Sequence, residues 1–374
     1  MTRRIEGHIL TPQGFVCGTL EHEAGRVTRI EGERADEAQV RASALPIVMP
    51  GFVDTHVHGG GGHDTMEAGE AVAAIARTHA RSGTTSFLAT TMTAPMNEIR
   101  AAIAALGPVC KDRPAGAARV LGVHLEGPYI NAGKLGAQPD FVRAASAEEI
   151  LALNALSPIR LITLAPELPG NLDLITELRT VGFRVQIGHT AGSYEDGVAA
   201  LERGAGGFTH LFNAMTGLHH RAPGMVGAAL AHARYAEIIP DLLHVHPGAI
   251  RAALRAVPCL FCVTDSTAAA GMPDGEYRLG RHTVTKCLGG VRLADGTLAG
   301  STLTMDQAFR NLVGLGLTLE EAAHRTSTHA ADYLGLGDRG RLANGQVADL
   351  VVFDRDLQLQ RVVVEGEEID LANA

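Results

Sequence analysis

Two histidines, His56 and His58, stand within GFVDTHVHGGGGHD, residues 51–64. Successive side chains of a strand point to opposite faces, so these two share one face. A pair of imidazoles at the carboxyl end of a strand suits a metal ion. The four glycines that follow let the backbone turn tightly and approach a ligand closely. More residues able to hold a metal or move a proton end other apolar runs. Glu126 ends VLGVHLE before a Gly-Pro, where a buried charge needs a metal or an ion pair to neutralise it. His189 ends FRVQIGH, and His210 ends GFTH. Asp265 ends LFCVTD, either as a cap for the next segment or as a general base. In the second role it takes a proton from a metal-activated water and hands it to the leaving group. His244, in PDLLHVHP, is placed to orient substrate or to hydrogen-bond a developing oxyanion. Arg221, preceded by His219 and His220, gives a basic loop that suits an anionic group such as a phosphate, or is simply solvated.

These residues need elements that bring them together. The stretch 1–48 has short alternating runs with tight turns, and the same texture returns in 341–374. The expectation is a small β-sandwich domain built from both termini, residues 1–48 plus 341–374. Between them, apolar runs at 47–54, 84–90, 120–126, 160–165, 183–189, 207–210, 238–244 and 260–265 read as strands. Helices are expected at 172–181, 194–203, 248–256 and 303–314. Ser146 to Glu149 and Thr318 to Glu321 each have the spacing of a capping box. Eight strand candidates with intervening helices predict an α/β fold, a (β/α)8 TIM-like barrel over residues 49–340. In such a barrel catalytic groups sit at the carboxyl ends of the strands, which is where the residues above fall. His124, two residues before Glu126 on the same face, reads as a deeper residue.

Composition excludes several classes. A 374-residue chain that is 46% hydrophobic and 20% charged can bury a large core and is not disordered. A net charge of −9 without a basic block argues against nucleic acid. No apolar stretch approaches the roughly 20 residues of a membrane span, and no signal sequence is evident, so a cytoplasmic protein is expected. The five cysteines have scattered spacing that does not fit a disulfide framework. Cys259 and Cys262 form a C-X-X-C, but inside an apolar run, and read as buried thiols. There is no G-X-G-X-X-G opening a helix and no Walker A, so no nucleotide is implied.

The constellation resembles the amidohydrolase superfamily: His-X-His after the first strand, a strand-end acid, two strand-end histidines and an Asp after the last strand. Within it, GVHLEGPYIN, GHTAGSYED, THLFNAM, RAPGMVGAAL, DLLHVHP, VTDSTAAAG and AGSTLTMDQA resemble the N-acetylglucosamine-6-phosphate deacetylases over nearly the whole chain. The resemblance implies hydrolysis of an acetamido sugar phosphate to acetate and the free amine. It implies a divalent metal (zinc, iron, manganese or cobalt) held principally by Glu126, His189 and His210, with Asp265 as general base and acid. It implies substrate contacts from Asn213 and Ala214, from His244 and Arg221 at the hydroxyl or phosphate end, and from Thr302 beside the sugar. In that family the arginine can come from a second subunit, which implies a homodimer.

Two departures stand out. Where some members carry a histidine after the Glu-Gly-Pro, this chain has Gln138, which can donate a hydrogen bond but carries no charge. Some members have lost the His-X-His pair, whereas His56 and His58 are kept here, implying one or two metals per chain with Glu126 between them. None of the three lysines ends a candidate strand, so a lysine bridge is not expected. The alternatives are an amidohydrolase acting on N-acetylgalactosamine 6-phosphate or another amide, and a non-catalytic scaffold.

Overall fold

The structure, a computed structural model, describes residues 2–372. The amino-terminal segment forms β1 (Arg3–Thr11), β2 (Gly14–Glu23) and β3 (Arg26–Ala35), followed by β4 (Ile47–Pro50). The barrel strands are β5 (Phe52–Val57), β6 (Thr84–Thr90), β7 (Arg119–Glu126), β8 (Ile159–Leu164), β9 (Arg184–Ile187), β10 (Gly207–Phe208), β11 (Tyr235–Ile238) and β12 (Cys259–Cys262). An antiparallel insertion follows, with β13 (Gly275–Leu279), β14 (His282–Cys287) and β15 (Gly290–Arg292). The chain ends in β16 (Leu350–Phe353), β17 (Leu359–Val364) and β18 (Glu367–Glu368).

The barrel is one curled parallel sheet of β5 to β10 plus the parallel pair β11 and β12. Backbone hydrogen bonds close both seams. Leu211 N donates to Glu237 O (2.8 Å), and Asp265 N donates to His56 O (2.9 Å). His58 N donates to Ser266 O (2.9 Å). β5 and β6 are buried along their whole length, as strands covered on both faces must be. Helices cover the outside; the one at Ala71–Arg81 turns Val72, Ile75 and Ala76 inward at helical spacing.

The expected run 47–54 is two strands. β4 joins the terminal sheet and β5 opens the barrel, and they part at Gly51, where a Cβ would lie 2.2 Å from the Thr85 side chain. The terminal strands form one continuous sheet in the order β18-β17-β16-β4-β1-β2-β3. The layers of the expected sandwich are its two halves folded over a shared core of Ile5, Ile9, Leu20 and Val27 against Leu350, Val352 and Val363. Phe52, Phe309 and Phe353 stack where this sheet meets the barrel, with centroids 5.3–6.3 Å apart.

The seventh strand lies earlier than expected. It occupies Tyr235–Ile238, and Pro240, lacking an N–H, stands just beyond it. His244 therefore belongs to a loop. The insertion β13–β15 has no counterpart among the expected elements. Its Leu279, Val284 and Val291 pack on Met92, Ala269 and Ala299 beside the open end of the barrel. Asp64 anchors it by accepting from Gly280 N (2.8 Å).

Candidate active site

The barrel strands deliver their polar ends to one place. Glu126 is the last residue of β7 and is buried. His189, His210 and Asp265 lie two or three residues past β9, β10 and β12, each with left-handed backbone (φ +47°, +29° and +50°). That conformation costs a non-glycine residue about 1–3 kcal/mol and recurs where the surroundings over-determine it. Here they do. His189 O accepts from Asn131 N (2.9 Å), His210 O from Asn213 N (3.0 Å) and Asp265 O from Ser301 N (2.7 Å). The turns aim all three side chains back over the strand ends. The glycine run after His58 has a similar purpose: a Cβ on Gly59 would meet Ala268 N at 2.5 Å.

Two donor clusters result, with Glu126 between them. His189 Nε2 and His210 Nε2 are each 3.1 Å from Glu126 Oε1 and 3.1 Å from each other. On the other side, His58 Nε2 is 3.2 Å from Glu126 Oε2 and 3.3 Å from Asp265 Oδ1. His56 Nε2 is 3.1 Å from His58 Nε2 and 3.5 Å from Asp265 Oδ1. Two imidazole nitrogens cannot both present a proton to each other at such range. Ligand atoms on a tetrahedral ion with bonds of about 2.0–2.1 Å lie about 3.3 Å apart, close to these spacings. Glu126, His189 and His210 form one group of convergent donors, and His56, His58 and Asp265 form another. A divalent ion fits either set by donor chemistry and by spacing.

The electrostatics agree. Burial alone would raise the Glu126 pKa, but the imidazoles around it, His56 and His189 foremost, hold it well below the usual carboxylate range. Asp265 is likewise depressed, with burial opposed by His56 and His58. Burial opposes the charged form of His58, yet its bonds to Asp265 and Glu126 raise it to about 9. The carboxylates demand positive charge, and a divalent ion supplies it through the same atoms.

Above the clusters is a cleft of about 250 Å³, lined by His58, Glu126, Gln138, His189, His210 and Asp265 on its floor. Asn213, Ala214 and His244 line its side, and Leu279, Thr297, Leu298 and Gly300 close it from the insertion. His56 lies beneath, fully buried. His244 is held by Asp241, which accepts from its Nδ1 (2.7 Å) and its backbone N (2.8 Å). Burial would lower the His244 pKa, but the Asp241 carboxylate raises it. Gln138 is engaged at both ends: Oε1 accepts from Thr93 N and Nε2 donates to Glu126 Oε2, both at 2.6 Å.

Two expected contact residues lie elsewhere. Thr302 is not among the cleft's lining; its hydroxyl donates to Gly289 O (3.2 Å). Arg221 is exposed, hydrogen-bonded to His220 Nε2 (2.8 Å) and lining a separate groove with Tyr194 and Pro223. Local spacing puts both near the site in sequence, but turns carry them away. A further acid, Glu237 of β11, is fully buried beside the site with its Oε2 3.2 Å from His56 Nδ1, and no strand-end motif announces it. Its signal was a lone carboxylate within the apolar run YAEIIP, which cannot be buried without partners.

The amidohydrolase family profile matches residues 47–369. The chain belongs to the amidohydrolase family. Among its amidohydrolase relatives, an N-acetylgalactosamine-6-phosphate deacetylase of Escherichia coli O157:H7 is 42% identical over 329 residues, covering 86% of this chain and 87% of that one. An N-acetylglucosamine-6-phosphate deacetylase of Vibrio furnissii is 39% identical, covering 92% and 88%. An aspartate-to-alanine mutant of the Mycobacterium smegmatis N-acetyl-D-glucosamine-6-phosphate deacetylase, solved in complex with N-acetyl-D-glucosamine 6-phosphate, superposes with a TM-score of 0.90 at 34% identity. That alignment covers 98% of this chain and 99% of the other.

Proposed function

We propose that this amidohydrolase removes the acetyl group of N-acetyl-D-glucosamine 6-phosphate, giving acetate and D-glucosamine 6-phosphate. The observation that carries the chemistry is Asp265 facing the same cleft as the convergent donors Glu126, His189 and His210. The deacetylase relatives, alike over most of both chains, supply the substrate class.

Glu126, His189 and His210 would hold the principal divalent ion, and His56 and His58 would hold a second with Asp265 and Glu126. When bound, a divalent ion polarises the amide carbonyl and makes water more acidic. Asp265 takes a proton from the attacking water as the new C–O bond forms. It returns that proton to the amide nitrogen as the C–N bond breaks, so acetate and the free amine leave. The depressed Asp265 pKa keeps it ready to accept at neutral pH. Asn213 and Ala214 line the path of the sugar. His244, held by Asp241, whose carboxylate raises its pKa, faces the hydroxyl or phosphate end. Gln138 is committed to Glu126 and Thr93, so it supports the donor set and leaves carbonyl polarisation to the ion. We read Arg221, remote from its own cleft, as serving the neighbouring cleft of a homodimer. A phosphorylated sugar does not cross membranes unaided, which puts the reaction in the cytoplasm. No helix among the described residues is long and apolar enough to cross a membrane.

A second reading, the galacto epimer, is favoured by the Escherichia coli relative. The test is acetate release from N-acetylglucosamine 6-phosphate, its galacto epimer and unphosphorylated N-acetylglucosamine, with protein of known metal content. Turnover of the first alone supports the main reading. Faster turnover of the epimer shifts the assignment to it, and no turnover of any sinks both.

A further inference from the structure

Glu237 is fully buried, and among the described residues no Lys or Arg pairs with it. Its contacts explain its presence. Oε1 accepts from Thr55 Oγ1 (2.5 Å), while Oε2 meets His56 Nδ1 (3.2 Å) and the backbone N of His210 (3.4 Å). An ionised carboxylate only accepts, so His56 Nδ1 carries the proton. With Nδ1 holding its proton toward Glu237, Nε2 is the nitrogen left to offer a lone pair to an ion, and it faces His58, Glu126 and Asp265. The opposite tautomer would point a proton into the donor cluster.

His56, His124 and Glu237 are themselves close enough to group around an ion. His124 argues against that. Its Nδ1 donates to Thr55 O (3.0 Å), so its Nε2 accepts from Thr163 Oγ1 (2.7 Å), and both ring nitrogens are taken. This grouping is a hydrogen-bonded frame under the site.

We propose that Glu237 is a positioning residue that fixes His56 in its Nδ1–H tautomer and so sets the affinity of the second cation site of His56, His58 and Asp265. It touches neither the cleft nor its contents. The first site is less dependent on it. His189 has its tautomer fixed by Lys134 O (2.8 Å from Nδ1), and Glu237 reaches His210 only through the backbone. Partners of this kind alter metal affinity by about 10–100-fold.

The inference rests on the two-cation reading above, and one experiment separates the two. Wild type, Glu237→Gln and Glu237→Met are dialysed to equilibrium against buffered Zn2+ of graded free concentration. Ions per chain are counted by elemental analysis, and folding is checked by circular dichroism. Wild type should bind two ions. In Glu237→Gln, which preserves shape, the first ion should bind as in wild type and the second at least about 10-fold more weakly, with Glu237→Met weaker still. A purely structural role would lower the melting temperature and leave the ratio of the two dissociation constants unchanged. Two ions in wild type and an unchanged second constant in Glu237→Gln would overturn the role of Glu237 alone. One ion at saturation in wild type would overturn the two-cation reading and this inference with it.

Discussion

Two groups of buried and half-buried carboxylates in this molecule are neutralised in different ways. At the open end of the barrel, Glu126, Glu237 and Asp265 pair only with histidines among the described residues. At the junction with the terminal sheet, Glu365 meets Arg113 (3.2 Å), Arg119 (2.7 Å) and Arg339 (3.1 Å). Asp349 meets Arg339 (2.8 Å). Guanidinium is always charged, so the junction carries its own cations and is complete as folded. Imidazole can give its lone pair away, so the open end can exchange its protons for metal. Stability is built where charge is matched by fixed partners, and chemistry where the matching charge is left to be supplied.

The junction also shows that one arginine does not treat two acids alike. Burial pushes Asp349 up to about 6 against the pull of Arg339. Burial acts on Glu365 too, but the bonds to Arg119 and Arg339 outweigh it and bring it down to about 2. Asp349 is wholly buried with one guanidinium, whereas Glu365 is partly exposed with three, so the directions differ for a physical reason.

This contrast can be broken at either end. The largest effect should follow metal removal. Chelation should reduce acetate release to background and a divalent ion should restore it; turnover that survives at less than 0.05 ions per chain, on the order of a trace contaminant, would mean the histidine-bound carboxylates serve something else. Asp265→Asn should lower kcat by about 10³-fold, within the range for a lost general acid–base, while elemental analysis still finds the Glu126-centred ion. A loss below about tenfold would remove Asp265 from proton transfer. At the junction, Arg339→Met leaves Asp349 without a cation and should cost about 3 kcal/mol in urea unfolding, with kcat within about twofold of wild type. A matched fall in kcat would show that the two regions are not separable. The smallest effect is a pH dependence. The unfolded Glu365 side chain titrates near 4.3, and the folded one at about 2. Its stabilisation is therefore present above the unfolded value and lost as pH falls through the folded one. Glu365→Gln should cost about 1–2 kcal/mol at pH 7, allowing for partial exposure, and the gap should close between about pH 4.5 and 2. Urea midpoints that stay equally far apart across that interval would contradict the assignment.

Local patterning carries the local facts. Apolar runs bounded by glycine and proline marked most barrel strands, with 84–90 matching β6 at both ends. Helix signals held where caps are local: Thr318 forms its reciprocal capping box with Glu321, whereas Ser146 accepts from Glu149 N (3.4 Å) without the return bond that completes a box. Glu126, His56, His58, His189, His210 and Asp265 stood out because a polar residue ending an apolar run must face something polar, and the barrel gathers them into two clusters that meet at Glu126. Tertiary structure alone decided the rest. β11 lies earlier than its apolar pattern suggests because Glu237 interrupts that pattern, and contacts from Thr55, the His56 ring and the His210 backbone make that carboxylate tolerable. One apolar run is divided between two sheets at Gly51, where Thr85 packs too close for any side chain. Arg221 and Thr302 lie near the site in sequence but outside its cleft, while Leu279, Thr297 and Leu298 reach it from an insertion with no catalytic signal. Periodicity records which way a side chain points along its own strand; which strands stand opposite is set by hydrogen bonds between distant segments, and no local pattern encodes those.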